Sequence, residues 1–367
     1  MVKLLIISIF LSTFFMAASS LNNNNPFTKQ YQPSLVENNS QPLYHHSIDS
    51  LRLKYTTGIR SILEDSKGNT WLGSYNEGVC LLHNGTMQYF STENGLSNNQ
   101  VRSIYEDKNG IIWFECGTGL STYDGQKMAV YKKRNYTSKD KWPLPGSDLW
   151  FKGDESVGYN ALEKGPGLYQ YDGQSLSFRR LPLSPNPGDN FTYSISTPFA
   201  KGKNGMRWFG TYGAVIGYNG KSFKIIDNAY LGLTKQMRSL HIRSIMEDSK
   251  GKLWIGNNGI GVITYDGKEA IDFTTQQKLR KEDSKGNSLE RVFSIAEDSS
   301  GNIWFGTVES GVWRYDGHSM KNFTKADGLE SKHIWTIYNS KQGKLWFGGA
   351  NPGAVYRFNG SSFERKY

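Results

Sequence analysis

Five segments of the chain begin alike, and the residues near their starts carry groups that bind ligands. They read GIRSILED, QVRSIYED, HIRSIMED, RVFSIAED and HIWTIYNS. The third residues are, in turn, Arg60, Arg102, Arg243, Phe293 and Trp335. Guanidinium groups bind carboxylates and hydroxyls, and aromatic rings stack on flat faces such as that of a pyranose. The five positions therefore predict a ligand site if the fold brings the segments together.

The first residues of three of these segments, His241, Arg291 and His333, join the candidate ligand-binding set. The two histidines lie two repeats apart, which is too far to share an ion with bonds near 2 Å, and no third ligand shares their register. We therefore expect no metal ion and no cofactor. The alternative role for the arginines is structural, in which each pairs with a glutamate or carbonyl group of a neighbouring repeat.

A second irregularity lies in IIWFECGTG, where Glu115 stands at a position that is glycine in five other repeats. These glycines are Gly73, Gly210, Gly256, Gly306 and Gly348. We expect Glu115 to lie at the same face as the arginines and to contribute to the site. Cys116 follows it, and a disulfide to Cys80 would form if the two Cα atoms came within about 7 Å.

The elements that position these residues are read from two series of markers. A tryptophan followed by an apolar residue recurs seven times, at Trp71, Trp113, Trp150, Trp208, Trp254, Trp304 and Trp346. An Asn-Gly or Asp-Gly pair alternates with it, also seven times and 40 to 50 residues apart. This period is typical of one four-stranded propeller blade. The sequence predicts an all-β, seven-bladed β-propeller with four antiparallel strands, A to D, in each blade.

The residue types that recur from repeat to repeat have structural explanations. We expect one tryptophan per blade to pack between blades, and the aspartate of each EDxxG segment to accept hydrogen bonds from the following turn. The Asp-Gly pair after strand C predicts a tight type I′ hairpin. Ring closure stays open, because SSFERKY completes the last blade while DSLRLKY could compete for the same edge.

Loop lengths distinguish the two faces of the predicted disc. The A–B and C–D turns are minimal, whereas the B–C and D–A loops vary, and blade 3 has the longest B–C loop, GDESVGYNALEKGPG. Variable loops gathered at one end of a rigid scaffold are typical of a recognition surface. Pro143 and Pro145 predict a short or distorted inner strand in blade 3, and blade 4 also departs around Pro198. Decay of a repeat and a specialised subsite explain these departures equally well.

The N-terminus predicts export. Residues 1–20 have the lysine, apolar run and small residues of a secretory signal peptide, residues 21–41 form a flexible polar leader, and residues 42–367 form the propeller. After cleavage no apolar run approaches the roughly 18 residues that span a membrane. We expect a secreted or periplasmic protein. Its formal charge of +10 favours acidic glycans or anionic surfaces over nucleic acid, although scattered solvating lysines would give the same charge.

The segments SIYEDKNGIIWF, SIAEDSSGNIWFGTVESGVWRYDG and ADGLESKHIWTIYNSKQGKLWFGG resemble the two-component regulator propeller repeats of bacterial extracellular sensors. The resemblance covers residues from about 58 to 367. In that family tandem propellers precede a small β-sandwich, a membrane helix and a histidine kinase. One propeller's worth of repeats implies a stand-alone sensor propeller without a kinase, whose output passes through a partner in trans.

Three functions follow as hypotheses. The favoured one is an exported recognition or sensor propeller that binds an extracellular glycan or oligosaccharide at the long-loop face and acts through a membrane sensor or another exported protein. The second is a lyase similar to virginiamycin B lyase, which needs a histidine base, a carboxylate and a metal ion; we find no complete catalytic constellation and expect no enzyme. The third is a scaffold that docks another exported protein.

Overall fold

Short apolar strands joined by glycine turns form seven antiparallel sheets, which are the blades of a propeller. The computed structural model describes residues 52–131, 142, 149–152, 167–183, 194–233, 239–283 and 287–367. The predicted signal peptide, the polar leader and most of the long B–C loop of blade 3 lie outside the described residues. The all-β, seven-bladed fold predicted from the repeats is confirmed.

The strands of each blade pair in chain order. Blade 1 holds β1 (Ile59–Glu64), β2 (Thr70–Ser74), β3 (Val79–His83) and β4 (Thr86–Phe90). Blade 2 holds β5 (Val101–Glu106), β6 (Ile112–Cys116), β7 (Leu120–Tyr123) and β8 (Met128–Val130). Blade 3 holds β9 (Leu149–Phe151), β10 (Gly167–Tyr171) and β11 (Leu176–Arg180), which correspond to strands B, C and D. Its strand A position falls between β8 and β9, largely outside the described residues.

The remaining blades each show four strands. Blade 4 holds β12 (Ala200–Lys201), β13 (Arg207–Gly210), β14 (Ala214–Tyr218) and β15 (Phe223–Asp227). Blade 5 holds β16 (Ile242–Glu247), β17 (Leu253–Asn257), β18 (Val262–Tyr265) and β19 (Ala270–Asp272), followed by the single-turn helix α1 (Phe273–Gln276). Blade 6 holds β20 (Val292–Glu297), β21 (Ile303–Thr307), β22 (Val312–Tyr315) and β23 (Met320–Phe323). Blade 7 holds β24 (His333–Asn339), β25 (Leu345–Ala350), β26 (Ala354–Phe358) and β27 (Phe363–Arg365).

The strand B tryptophans pack between blades, as predicted. The ring of Trp71 lies 5.4 Å from Phe114 of blade 2, and that of Trp304 lies 5.5 Å from Phe347 of blade 7. The predicted role of the EDxxG aspartates is also confirmed: Asp65 accepts hydrogen bonds from the turn N–H groups of Lys67 and Asn69. Each aspartate of this type also accepts the indole N–H of its own blade's tryptophan, which the sequence did not reveal. The pairs are Asp65–Trp71, Asp107–Trp113, Asp248–Trp254 and Asp298–Trp304.

The predicted type I′ hairpin between strands C and D is wrong in all blades except the first. Type I′ needs positive φ at both central residues, and only Asn84 and Gly85 meet this condition, with φ of 46° and 72°. In the other blades, four residues separate the paired strand ends. The carboxylate of Asp266, for example, accepts the backbone N–H groups of Lys268 and Glu269, and only Gly267 has positive φ.

The glutamate that ends strand A joins neighbouring blades. In four blades its carboxylate accepts a backbone N–H from the A–B turn of the preceding blade. These contacts are Glu64 with Lys341, Glu106 with Ser66, Glu247 with Lys203 and Glu297 with Ser249. The Glu64 contact joins blade 7 to blade 1, and β27 belongs to the same chain segment as the rest of blade 7. The ring therefore closes by blade packing, and residues before β1 do not replace β27.

Candidate functional site

Strand A of five blades carries a β-bulge at one shared position. The register of β1 against β2 shifts between Ile59 and Ser61, so that Arg60 is an extra residue without a partner on β2. Equivalent shifts occur on β5, β16, β20 and β24. The five extra residues are Arg60, Arg102, Arg243, Phe293 and Trp335. Because a bulge re-aims the side chain it carries, the predicted ligand-binding positions are those that leave the regular sheet.

Blade 4 has a neutral residue at the corresponding position. Ile195 forms an isolated bridge with Thr211, and the N–H of Ser196 donates to the carbonyl of Gly210 at 2.8 Å. Ser196 therefore occupies the place of Arg60 in blade 1. Pro198 and Phe199 follow it, which makes the blade 4 side of the ring apolar where the other blades are cationic or aromatic.

The bulged residues converge on one cavity of about 230 Å³ at the long-loop end of the central channel. Its lining also includes Lys152, Ser196, Pro198, Phe199, Ser244 and Ser294. The five strand A positions therefore line one cavity, and their role in ligand binding stays a prediction. His241, Arg291, His333 and Glu115 do not line this cavity themselves.

Two of the three arginines are held by aromatic rings. The guanidinium of Arg60 lies 5.0 Å from the Trp335 ring and 5.5 Å from the Tyr75 ring. Tyr75 and Trp335 also contact each other, with centroids 4.7 Å apart. Arg243 lies between the Tyr212 and Phe293 rings, 5.1 Å from each. Such cation–π contacts fix the position of a guanidinium without neutralising its charge.

The two histidines pack behind the cavity wall. His333 contacts the rings of Phe293 at 5.7 Å and Trp335 at 4.8 Å. Burial, together with the charges of Arg291 and Arg60, lowers the pKa of His333 to about 4. Burial and the nearby Arg243 likewise lower the pKa of His241. Both imidazoles are therefore neutral at pH 7 and support the aromatic residues of the site.

Arg291 has a structural role, which was the alternative to ligand binding for the arginines. Its Nε donates to Asn258 at 2.8 Å, and its Nη1 lies 3.2 Å from the carboxylate of Glu309. Arg102 also has a partner in its own segment, since its Nε donates to the side-chain oxygen of Gln100. Arg102 nevertheless lines the cavity, whereas Arg291 lies outside it.

The expectation that Glu115 contributes to the site is wrong, because its side chain does not face the cavity. Its side chain is fully buried, and its Oε2 lies 3.6 Å from Nζ of Lys152 in blade 3. The backbone N–H of Lys152 also donates to Glu115. Lys152 follows Trp150 and Phe151, so it occupies the same place in blade 3 as Glu115 in blade 2. The two blades that lack glycine at this place are thus neighbours, and their substituents form a buried ion pair.

The predicted disulfide is wrong, since Cys80 and Cys116 are both free and buried. Alternate residues of a strand point to opposite faces. Val79 packs toward Cys116 and blade 2, whereas Cys80 packs on the other side of the sheet with Leu72 and Val355 of blade 7. Burial raises the pKa of the Cys116 thiol to about 11, and it also raises that of Cys80.

Several lining residues were missed by the sequence reasoning. Lys152 carried a signal, because WFK departs from the WFG pattern of other repeats. Tyr75, directly after β2, and Tyr212, two residues after β13, pack on the cavity arginines, and aligning that position across repeats would have found them. Phe199 and Ser196 lie in the irregular start of blade 4, where the sequence departs from the repeat pattern.

The described ranges contain neither a metal-binding cluster nor a membrane-spanning helix. There, His, Cys, Asp and Glu side chains form no group of three or more that could hold a metal ion. In the same part of the chain, no helix has the length and apolar character needed to cross a membrane.

The chain is similar to known propellers in both sequence and fold. The sequence profile described as two component regulator propeller matches residues 56–76, 95–114, 236–259, 283–309 and 328–351. These matches fall on blades 1, 2, 5, 6 and 7, the five blades with the bulged strand A. No curated protein matches the chain significantly in sequence.

Solved structures extend the comparison. The extracellular domain of a protein named as a hybrid two component system from B. thetaiotaomicron gives a TM-score of 0.59 at 20% identity, covering 84% of this chain and 39% of that chain. One named as a one component system from the same organism gives 0.59 at 20%, covering 89% and 40%. Virginiamycin B lyase from Staphylococcus aureus gives 0.57 at 12%, covering 82% and 94%.

At these low sequence identities, the likeness to the solved structures shows only that the fold is shared. This chain spans about two fifths of the length of the two extracellular domains. The evidence for the family is the set of five repeat matches, which coincide with the regular blades of the structure. Five of the seven blades of this chain are two-component regulator propeller repeats.

Proposed function

We propose that this propeller is an exported recognition module that binds an extracellular oligosaccharide in the central cavity of the long-loop face. The observation that carries the proposal is the convergence of Arg60, Arg102, Arg243, Phe293 and Trp335, each the bulged residue of its strand A, on one cavity. A bulge repeated at one position in five blades directs five ligand-binding side chains to the axis.

The lining suits a sugar because it combines cations with flat rings. Arginine side chains donate several hydrogen bonds in a fixed plane, as hydroxyl-rich and anionic ligands require. Trp335, Phe293 and Phe199 offer ring surface on two sides of the cavity. Convergent polar groups within an otherwise apolar cavity are the usual composition of a small-molecule site.

The output of the proposed sensor passes through a partner protein. The two similar extracellular domains belong to proteins named as two component and one component systems. We propose by analogy that ligand binding to this chain is passed to a membrane sensor or to another exported protein at the long-loop face. This part of the proposal rests on the family and on fold likeness.

A panel of oligosaccharides tested against the purified protein by thermal shift and calorimetry would test the proposal. We expect a saturable rise in melting temperature with one or more sugars and no turnover. Arg60→Ala should abolish the shift, whereas Lys268→Ala, in an exposed turn of the opposite face, should leave it unchanged. Product formation would favour the lyase alternative, and the absence of any binding sugar would contradict the proposal.

A further inference from the structure

We propose that the outer edge of blade 6 is a docking site for an acidic, extended segment of a partner protein, which adds to β23 as a further strand. An acidic side chain of that segment would face Lys321 and Arg314. This inference goes beyond sugar recognition and does not depend on the central cavity, since it concerns the rim of the disc.

The strand B tryptophan of each blade begins a row of three paired residues that crosses strands B, C and D. In blade 6 the row is Trp304, Arg314 and Lys321. Directly paired residues of an antiparallel sheet lie on the same face, and like charges at such a pair destabilise the sheet. Blade 6 therefore holds an unfavourable pair of cations side by side.

The corresponding rows of the other blades contain no such pair. In blade 7 the row is Trp346, Arg357 and Glu364, so the strand C arginine faces a carboxylate. The one cation in the rows of blades 1 to 5, Lys224, donates to the hydroxyl of Tyr265 at 3.0 Å. Those rows are Trp71–Leu81–Gln88, Trp113–Thr122–Ala129, Trp150–Gln170–Ser177, Trp208–Gly217–Lys224 and Trp254–Thr264–Ile271.

Neither cation of the blade 6 row takes part in an ion pair within the described part of the chain. The Arg314 guanidinium lies 5.6 Å from the Trp304 ring and 5.8 Å from the Phe323 ring. Nζ of Lys321 lies 4.7 Å from the same Phe323 ring. Blade 7 also presents a ring to this row, because Phe358 packs against Trp304 at 4.9 Å. Contacts with rings leave both charges without a counterion.

The outer strand of blade 6, β23, pairs with β22 alone. Such an edge leaves backbone N–H and C=O groups for an added strand. Lys321 is exposed and Arg314 is half-buried, so the row is accessible at its outer end. In a strand added to β23, the residue paired with Lys321 would continue the row on the same face. An aspartate or glutamate there gives blade 6 the negative member that Glu364 supplies in blade 7.

The partner segment should alternate acidic and uncharged residues. Alternate residues of a strand point to opposite faces, so only every second side chain of the added strand lies on the face of the row. An acidic polysaccharide would meet the same charges but would not pair with the backbone of β23. The combination of an open edge and a pair of cations therefore favours a protein segment.

Peptide binding to the purified protein tests the inference. The probes are a labelled short peptide of alternating threonine and glutamate, the same peptide with glutamine in place of glutamate, and labelled polygalacturonate as an acidic polysaccharide. Fluorescence anisotropy gives the affinities. We expect the acidic peptide to bind at least about threefold more tightly than the glutamine peptide, and to lose this advantage at high salt.

The variant Lys321→Glu gives blade 6 the charge arrangement of blade 7. It should weaken binding of the acidic peptide by about tenfold or more and raise the melting temperature by about 1–2 °C, because Arg314 gains a partner. Lys268→Glu makes the same charge change in an exposed turn of blade 5 and should have neither effect. Arg60→Ala, in the central cavity, should leave peptide binding unchanged.

The outcomes distinguish an acidic protein segment from other roles of the row. If the glutamine peptide binds as tightly as the acidic one, or if Lys321→Glu leaves the acidic peptide bound, the inference is wrong. If neither peptide binds, Lys321 serves only to protect the edge strand from aggregation, and the inference is also wrong. If polygalacturonate binding depends on Lys321 and peptide binding does not, the occupant is a polysaccharide and the inference is overturned. Sugar binding in the central cavity is tested separately by Arg60→Ala.

Discussion

At the residue scale, the site is built from side chains whose surroundings set their charge. Arg60 and Arg243 lie beside aromatic rings, and Glu115 is paired with Lys152 in the wall. His333 packs against Phe293 and Trp335 and is neutral at pH 7 because burial and the charges of Arg291 and Arg60 lower its pKa. Its neutrality keeps the aromatic pair of Phe293 and Trp335 packed against an uncharged neighbour.

The lowered pKa of His333 predicts a pH dependence of stability. Its pKa falls from 6.5 in the unfolded chain to about 4 in the folded one, so the unfolded state binds more protons between these values. The contribution of neutral His333 to the free energy of unfolding should therefore be fully present above pH 6.5 and be lost as the pH falls toward 4. The loss should amount to at most about 3 kcal/mol. The difference between wild type and His333→Gln in denaturant unfolding, followed from pH 7.5 to 4.5, isolates this contribution.

The control for that measurement is His318→Gln, because His318 lies exposed in the C–D turn of blade 6. The free energy of unfolding of the His318→Gln variant should depend on pH in the same way as that of the wild type. A His333→Gln variant that loses stability with acid as steeply as the wild type would show that this imidazole is not responsible.

At the scale of the blade, strand A and strand B are joined by a polar unit of aspartate, turn and tryptophan. In blade 5, the carboxylate of Asp248 accepts the turn N–H groups of Lys250 and Lys252 and the indole N–H of Trp254. Blade 4 lacks this aspartate, and the indole of Trp208 donates instead to Glu247 of blade 5. In blade 4 the tryptophan therefore keeps a carboxylate partner although the aspartate of its own blade is absent.

Replacing Asp248 by alanine should destabilise the protein because it leaves a buried indole N–H and two turn N–H groups without their acceptor. We expect a loss of about 2–4 kcal/mol in the free energy of unfolding, measured by denaturant titration. The matched variant Asp266→Ala removes a similar aspartate from the exposed C–D turn of the same blade and should cost clearly less than the Asp248 variant. Equal losses in the two variants would argue against the buried role.

At the scale of the whole molecule, the ring closes with the same contact that joins its internal blades. Glu64 accepts the N–H of Lys341 at 2.8 Å across the closure, and Glu106 accepts the N–H of Ser66 at 2.7 Å between blades 1 and 2. Tyr338 of blade 7 adds a bond to the N–H of Glu64 at 3.0 Å. These contacts predict that the junction between blades 7 and 1 is no weaker than its neighbours.

The comparison of Glu64→Gln with Glu106→Gln tests this prediction. Both variants weaken a charge-assisted bond at a partly exposed interface, and each should lower the free energy of unfolding by about 1–2 kcal/mol, with a single cooperative transition. Unfolding followed by tryptophan fluorescence and by circular dichroism gives the transition and its cooperativity. A Glu64→Gln variant that unfolds in two steps, while Glu106→Gln unfolds in one, would show that the closure is a weak seam.

The sequence by itself determined the repeat, the seven blades and the roles of the strand B tryptophans and of the EDxxG aspartates. It also located Arg60, Arg102, Arg243, Phe293 and Trp335 as one set, because aligned repeats place equivalent residues at equivalent points of a symmetric fold. These inferences depend on local periodicity and on spacing along the chain, which a single sequence displays.

Only the tertiary structure decided how these residues meet their neighbours. The bulge at Arg60 depends on the register between two strands, and the pairing of Glu115 with Lys152 depends on the packing of one blade against the next. The separation of Cys80 from Cys116 depends on which face of its sheet each side chain takes. Contacts across blades join residues far apart in sequence, and their energies depend on burial and geometry that the repeat pattern does not encode.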